Sequence, residues 1–180
     1  MNQVLEAIKE RRSIRKYEPT PVPDEVLQQV LEAIQWSPSW ANSQCWEVVV
    51  IKDQGIKEKL QGTMSKGNPS TKAIVDAPVL LAMCAKMERS GFYKDEASTI
   101  LGDWFMYDLG LATQNVLLTA HSLGLGAVVV GLYDLEAAAD VLNVPEDCQL
   151  VSLIPLGYPA KGSPAPKRRE IAEFTRADTF

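Results

Sequence analysis

The chain has little of what most enzymes use for chemistry. One histidine, His121, and three cysteines, Cys45, Cys84 and Cys148, are its whole stock of imidazole and thiol across 180 residues. The cysteines are odd in number, far apart and in no C-x-x-C pair. That excludes a disulfide framework, and with one histidine to join them it leaves no zinc site. They read as buried or idle thiols. No G-x-x-x-x-G-K-S/T run occurs, so a P-loop is excluded. No apolar run approaches the roughly 20 residues of a membrane span, and the N-terminus lacks a charged-then-apolar signal pattern. The expectation is a cytoplasmic protein with no membrane partner. A formal net charge of -5 also argues against nucleic-acid binding, which wants a broad basic face.

What is present is apolar material for one core: 46% of the residues are hydrophobic, which suits a single domain over 1–180. Val4, Leu5 and Ile8 mark a short amphipathic helix, and Glu18 to Pro23 is too rich in proline for helix or central strand. Asp24-Glu25 open a helix whose apolar positions Val26, Leu27, Val30, Leu31 and Ile34 recur at helical spacing up to about Trp36. Four strands are expected, at Trp46 to Ile51, Ala77 to Ala85, Ala127 to Val130 and Leu150 to Leu156. Lys52 to Lys72 is polar and broken by Gly62, Gly67 and Asn68-Pro69, with at most a short helix around Ile56 to Leu60; Lys86 to Ala97 is charged and irregular. Thr99 to Ser122 carries apolar residues around most of its circumference, which predicts a helix buried on nearly all sides and meeting a second subunit. A further short helix is expected over Leu135 to Leu142. Helices and strands mix without regular alternation, so the class is α+β.

The candidate chemistry lies in cations and amides. Arg11, Arg12, Ser13 and Arg15 form a phosphate grip, since guanidinium forks match phosphate oxygens, or a solvated helix end whose cations complement the dipole. The Gly124, Gly126, Gly131 pattern follows a helix and precedes a strand, the reverse of a dinucleotide fingerprint, and reads as a helix cap with a close backbone approach. His121 is a packing or capping residue. Asp103 and Asp108, five apart, do not share a helix face and receive no chemical role. Trp40, in a polar loop, is a stacking wall or simple packing. Binding groups without a nucleophile, an acid–base pair or a metal-ligand set point to chemistry carried by a cofactor.

Arg11-Arg12-Ser13-Ile14-Arg15-Lys16-Tyr17, then Ser37-Pro38-Ser39-Trp40-Ala41-Asn42-Ser43-Gln44-Cys45-Trp46, then Gly124-Leu125-Gly126, Gly157-Tyr158-Pro159 and Lys167-Arg168-Arg169 stand in that order along the chain. In this the chain resembles the nitroreductase family of FMN enzymes. The resemblance implies a sandwich with a mainly antiparallel central sheet, helices on both sides, and an intertwined homodimer whose FMN sites are built from both chains. It also implies NADH or NADPH as electron donor and a small planar acceptor such as a nitroaromatic or quinone, used in turn. By position, Arg11, Arg12 and Ser13 would hold the phosphate and ribityl chain, with Lys167 and Arg169 closing on the phosphate. Arg15 would reach the pyrimidine edge. Pro38, Ser39, Trp40 and Asn42, and more weakly Gln44, would come from the partner, while Val130 and Gly131 would pass backbone groups beside the ring. Cys45 replaces a common proline, and Val130 a glutamate that some members place against the ring, which bears on redox tuning. Dehalogenation, enone reduction or flavin destruction on the same scaffold, and a flavin-storage protein, are the alternatives.

Overall fold

The computed structural model describes residues 2–180. In chain order it forms α1 (Gln3–Glu10), α2 (Asp24–Gln35), a 3-10 turn (Trp40–Asn42), β1 (Trp46–Ile51), α3 (Gln54–Gly62), α4 (Thr71–Asp76), β2 (Val79–Lys86), β3 (Phe92–Tyr93), β4 (Glu96–Ala97), α5 (Phe105–Ser122), β5 (Gly126–Ala127), α6 (Leu135–Leu142), β6 (Cys148–Gly157) and a last 3-10 turn (Ile171–Glu173). The main sheet is antiparallel in the order β1-β2-β6-β5. β2 lies inside it with both faces covered, which is why its sequence is a continuous apolar run. Val79, Leu81, Met83 and Ala85 pack with Val30 and Ile34 of α2 and Val116 of α5. Leu80, Ala82 and Cys84 face the other way, toward Leu60 of α3, Ile74 of α4 and Ala138 of α6. The result is the expected α+β sandwich with helices on both sides.

Several expectations are corrected. The short helix expected around Ile56 to Leu60 is present and longer, as α3, which buries Leu60 completely, whereas α4, which buries Ile74, was not foreseen. Within α3, Lys57 is only 4% exposed and donates its ammonium to the Ala77 carbonyl at 2.9 Å. The third strand is short. Ala127 pairs with Leu156 and Val130 with Leu153, which keeps one register and sets Val128 opposite Pro155. Proline has no N–H, so the ladder lapses there. α5 begins at Phe105 and not near Thr99, because Gly102 turns with φ +69 and Asp103 Oδ1 accepts from Phe105 N at 3.0 Å. Within one chain α5 buries a stripe, Asp108, Leu109, Ala112, Val116 and Ala120, and leaves Met106 and Tyr107 exposed. Lys86 to Ala97 contains the β3–β4 hairpin, whose Lys94 and Asp95 both take positive φ, as a tight hairpin turn requires.

Candidate active site

α1 is capped by Asn2, whose side chain accepts from Val4 N at 2.9 Å. At its other end the chain turns extended at Arg11, and Arg12 folds back to donate to the Lys9 and Arg11 carbonyls at 2.6 and 2.8 Å. The next residues are pinned to the sheet. Ile14 N donates to Ala127 O at 3.1 Å, and the buried Tyr17 hydroxyl shares its one proton between the Ile14 and Pro155 carbonyls, at 2.7 and 3.0 Å. This approach needs glycine: a Cβ on Gly126 would lie 2.6 Å from Ile14 Cβ. Gly124, at φ +76, closes α5 with Leu125 N on Ala120 O and its own N–H on His121 O, a Schellman cap that supports the sequence reading of both glycines.

The C-terminal tail returns over the same loop. Ser163 Oγ donates to Ser13 O at 3.1 Å, and the two segments enclose a cavity of about 490 Å³ lined by Arg11, Arg12, Ser13, Arg15, Ser163 and Arg168, among others. The two ion pairs of the described residues, Lys52–Asp24 and Arg169–Glu173, lie outside this set. Arg11 is held below its ordinary pKa by burial first, then by Arg12 and Arg168. Neighbouring guanidinium groups work against the charge of Arg11, and no carboxylate lines the cavity with them, an arrangement that would suit an anion. Arg168 was not singled out from the sequence. The expected Lys167 and Arg169 are both exposed and do not line the cavity, and Arg169 engages Glu173. Arg15 donates through Nε to Ser70 Oγ at 3.1 Å, and Ser70, 4% exposed, is itself held by Asn68. Ser70 was also missed; its only signal is the Asn68-Pro69-Ser70 turn before α4.

The second expected segment forms a separate surface. Ser37 Oγ donates to Ala33 O, and Asn115 Nδ2 donates to Ser37 Oγ at 2.8 Å, which fixes where the chain leaves α2. Ala41, Asn42 and Gln44 then take φ of 43, 56 and 46, a left-handed region that costs non-glycine residues energy. Ser39 Oγ accepts from Gln44 N at 3.0 Å, and Gln44 Nε2 donates to Asn42 Oδ1 at 3.2 Å. Pro38, Asn42 and Gln44 line a cavity of about 440 Å³ that shares no lining residue with the cation cavity. The Trp40 ring lies against Trp104, centroids 5.1 Å apart.

Asp108 is the residue that sequence reasoning undervalued. It is 1% exposed, and it accepts from Trp40 N, Ser43 Oγ and Ser90 Oγ. Its one signal was a carboxylate on the same helix stripe as Ala112. Cys45 lies 3.7 Å from its Oδ2; burial first, and then Asp108, push the thiol up to about 12. Burial pushes Cys84 up to about 11, so both are protonated, idle thiols. Val130 spends its N–H and its carbonyl on Leu153, both at 2.9 Å, leaving exposed Gly131 as the freer backbone beside it. His121 stands in the last turn of α5, where its carbonyl takes the Gly124 N–H. Among the described residues no group of three or more His, Cys, Asp or Glu could hold a metal ion, and no helix is long and apolar enough to cross a membrane.

Comparison with known proteins agrees with this geometry. The model described as the nitroreductase family matches residues 8–74 and 66–158. A Methanothermobacter thermautotrophicus protein provisionally named NADH dehydrogenase/NAD(P)H nitroreductase is 37% identical over 162 residues, covering 88% of this chain and 78% of its own. The Bacillus subtilis FMN reductase (NAD(P)H) is 31% identical over 191 residues, covering 100% of this chain and 75% of its own. The structure of an FMN-dependent nitroreductase from Clostridium difficile superposes with a TM-score of 0.81 at 23% identity, covering 98% of this chain and 99% of that one, and so shows the shared fold. With a family model spanning most of its length and relatives above 30% identity, the chain belongs to the nitroreductase family.

Proposed function

We propose that the chain is an FMN-dependent oxidoreductase that takes electrons from NADH or NADPH and delivers them to a small planar acceptor, a nitroaromatic, a quinone or a similar molecule. The observation that carries the reading is the cation cavity, in which Arg11, Arg12, Arg15 and Arg168 converge with Ser13 and without a carboxylate partner. These residues fit a terminal phosphate. When bound, FMN supplies the redox chemistry, serving donor and acceptor in turn, and the protein supplies grip, orientation and field. Arg11, Ser13 and Arg168 hold the phosphate, with Lys167 and Arg169 on the same tail. Arg12, with one nitrogen occupied by helix carbonyls, contributes mainly charge. Arg15, braced on Ser70, has its outer nitrogens left for the flavin's pyrimidine edge, where a fixed cation favours negative charge on the ring.

The other wall comes from a second copy of the chain. Pro38, Ser39, Trp40, Asn42 and Gln44 form a surface apart from the cation cavity, so a site built from both needs two subunits. α1 supports this homodimer: Val4, Leu5 and Ile8 are 61%, 51% and 47% exposed, an apolar stripe that packing against α5 covers only in part. No acid, base or nucleophile is required of the protein. The test is an anaerobic absorption titration of the flavin-loaded protein with NADH and with NADPH. Bleaching by at least one, reversed by a quinone, is expected; bound flavin that neither donor bleaches would make the protein a flavin store.

A further inference from the structure

We infer that Asp108 is a positioning residue that holds the Ser39–Gln44 loop in its strained form and, through Ser90, joins that loop to the excursion Met87–Trp104. The inference rests on the proposed function only in taking the loop as one wall of the flavin site. A carboxylate 1% exposed needs donors, and this one draws them from two distant segments. From the loop come Trp40 N, within 3.1 and 3.2 Å of the two carboxylate oxygens, Ser43 Oγ at 3.3 Å and Cys45 Sγ at 3.7 Å. From the excursion comes Ser90 Oγ at 2.6 Å, and Ser90 is fully buried. Among the described residues no cation pairs with the carboxylate, so these neutral donors, with the N-terminal turn of α5 in which it stands, compensate its burial.

Three non-glycine residues of the loop, Ala41, Asn42 and Gln44, sit at positive φ, and such strain persists only where its surroundings over-determine it. The contacts to Asp108 flank that strained run at Trp40 and Cys45 and meet it at Ser43, between Asn42 and Gln44. The excursion is fastened at the same place by other means. Trp104 N donates to Ser90 O at 3.0 Å, the Trp104 ring packs on Trp40, and Gly91, at φ +83, lies so close that a Cβ there would be 2.5 Å from Trp104 Cδ1. Beyond this joint the excursion is open, with Tyr93, Ile100 and Leu101 70%, 102% and 70% exposed. A shift of the exposed part would therefore reach the loop through the Asp108 carboxylate and the Trp40–Trp104 contact beside it.

Amide hydrogen exchange on the full-length protein, with and without FMN, tests this with Ser90→Ala, Asp108→Asn and Asp108→Ala. Ser90→Ala removes a donor on the excursion only. The expected result is exchange at least threefold faster in residues 39–45 as well as 88–98. Asp108→Ala should quicken both segments further and weaken FMN about tenfold. Asp108→Asn, which keeps one oxygen toward Ser43 and Ser90, should recover most of both effects, and it keeps the test open if the alanine variant does not fold. Quickening confined to 88–98 in Ser90→Ala, or loop exchange unchanged in the Asp108 variants, overturns the joint. Linked exchange with FMN affinity unchanged upholds the joint and overturns instead the placing of this loop at the flavin.

Discussion

Arg11 and Arg168 line the proposed anion grip from two parts of the chain, one fixed by the turn out of α1 and the other brought in by the tail. Each charge-assisted contact to phosphate is worth roughly 1.5–3 kcal/mol, so Arg11→Ala and Arg168→Ala should each weaken FMN about tenfold or more, measured by fluorescence titration. Arg169→Ala should cost less, because Arg169 is engaged with Glu173. Equal losses at 168 and 169 would return the tail's contribution to the pair expected from the sequence. The thiols give a second prediction. Cys84 rises from its ordinary 9.0 to about 11 and Cys45 to about 12, so the folded state disfavours their ionisation. Stability from a raised pKa is present below the unfolded value and lost as pH rises through the folded one. Chemical denaturation should therefore show constant thiol-linked stability below about pH 9 and a decline from there to about pH 11 that Cys84→Val shallows.

The turn between α5 and β5 shows what the sequence reveals and what it hides. Gly124-Leu125-Gly126 after a long apolar helix reads directly as cap and close approach, because both needs are local. Gly126→Ala should push Ile14 and the cation loop outward, costing about 1–3 kcal/mol of stability by overpacking. Ile14→Ala in the same chain should not restore it in thermal unfolding, since alanine keeps the Ile14 Cβ that the added Cβ would meet at 2.6 Å. α2 and β2 were legible for a related reason: a repeat of 3.6 or an unbroken apolar run states its own burial. α3 was legible as a short helix around Ile56 to Leu60, but not the burial of its Lys57, which rests on a bond to Ala77, twenty residues on, and no local pattern carries that. Asp108 was illegible for the same cause, with partners 18 and 68 residues away. The motif segments were readable as binding groups, whereas which tail cation lines the cavity depended on how the chain crosses Ser13.

The whole protein is proposed to work as a pair of chains, and the exposed stripe of α1 with Met106 and Tyr107 of α5 gives that pairing its apolar surface. Cofactor and partner should then be linked: sedimentation at falling concentration should show FMN released as dimer is lost. A holo monomer at low micromolar concentration would contradict the shared site. The central claim is that the cation cavity reads a terminal phosphate, and the most direct measurement compares the affinity of the apo protein for FMN and for riboflavin, which lacks only that phosphate. With two or more charge-assisted contacts at stake, the expected result is FMN bound at least about 100-fold more tightly, with the gap narrowing as salt rises. Equal affinity for the two flavins would contradict it and return Arg11, Arg12, Arg15 and Arg168 to a solvated cluster.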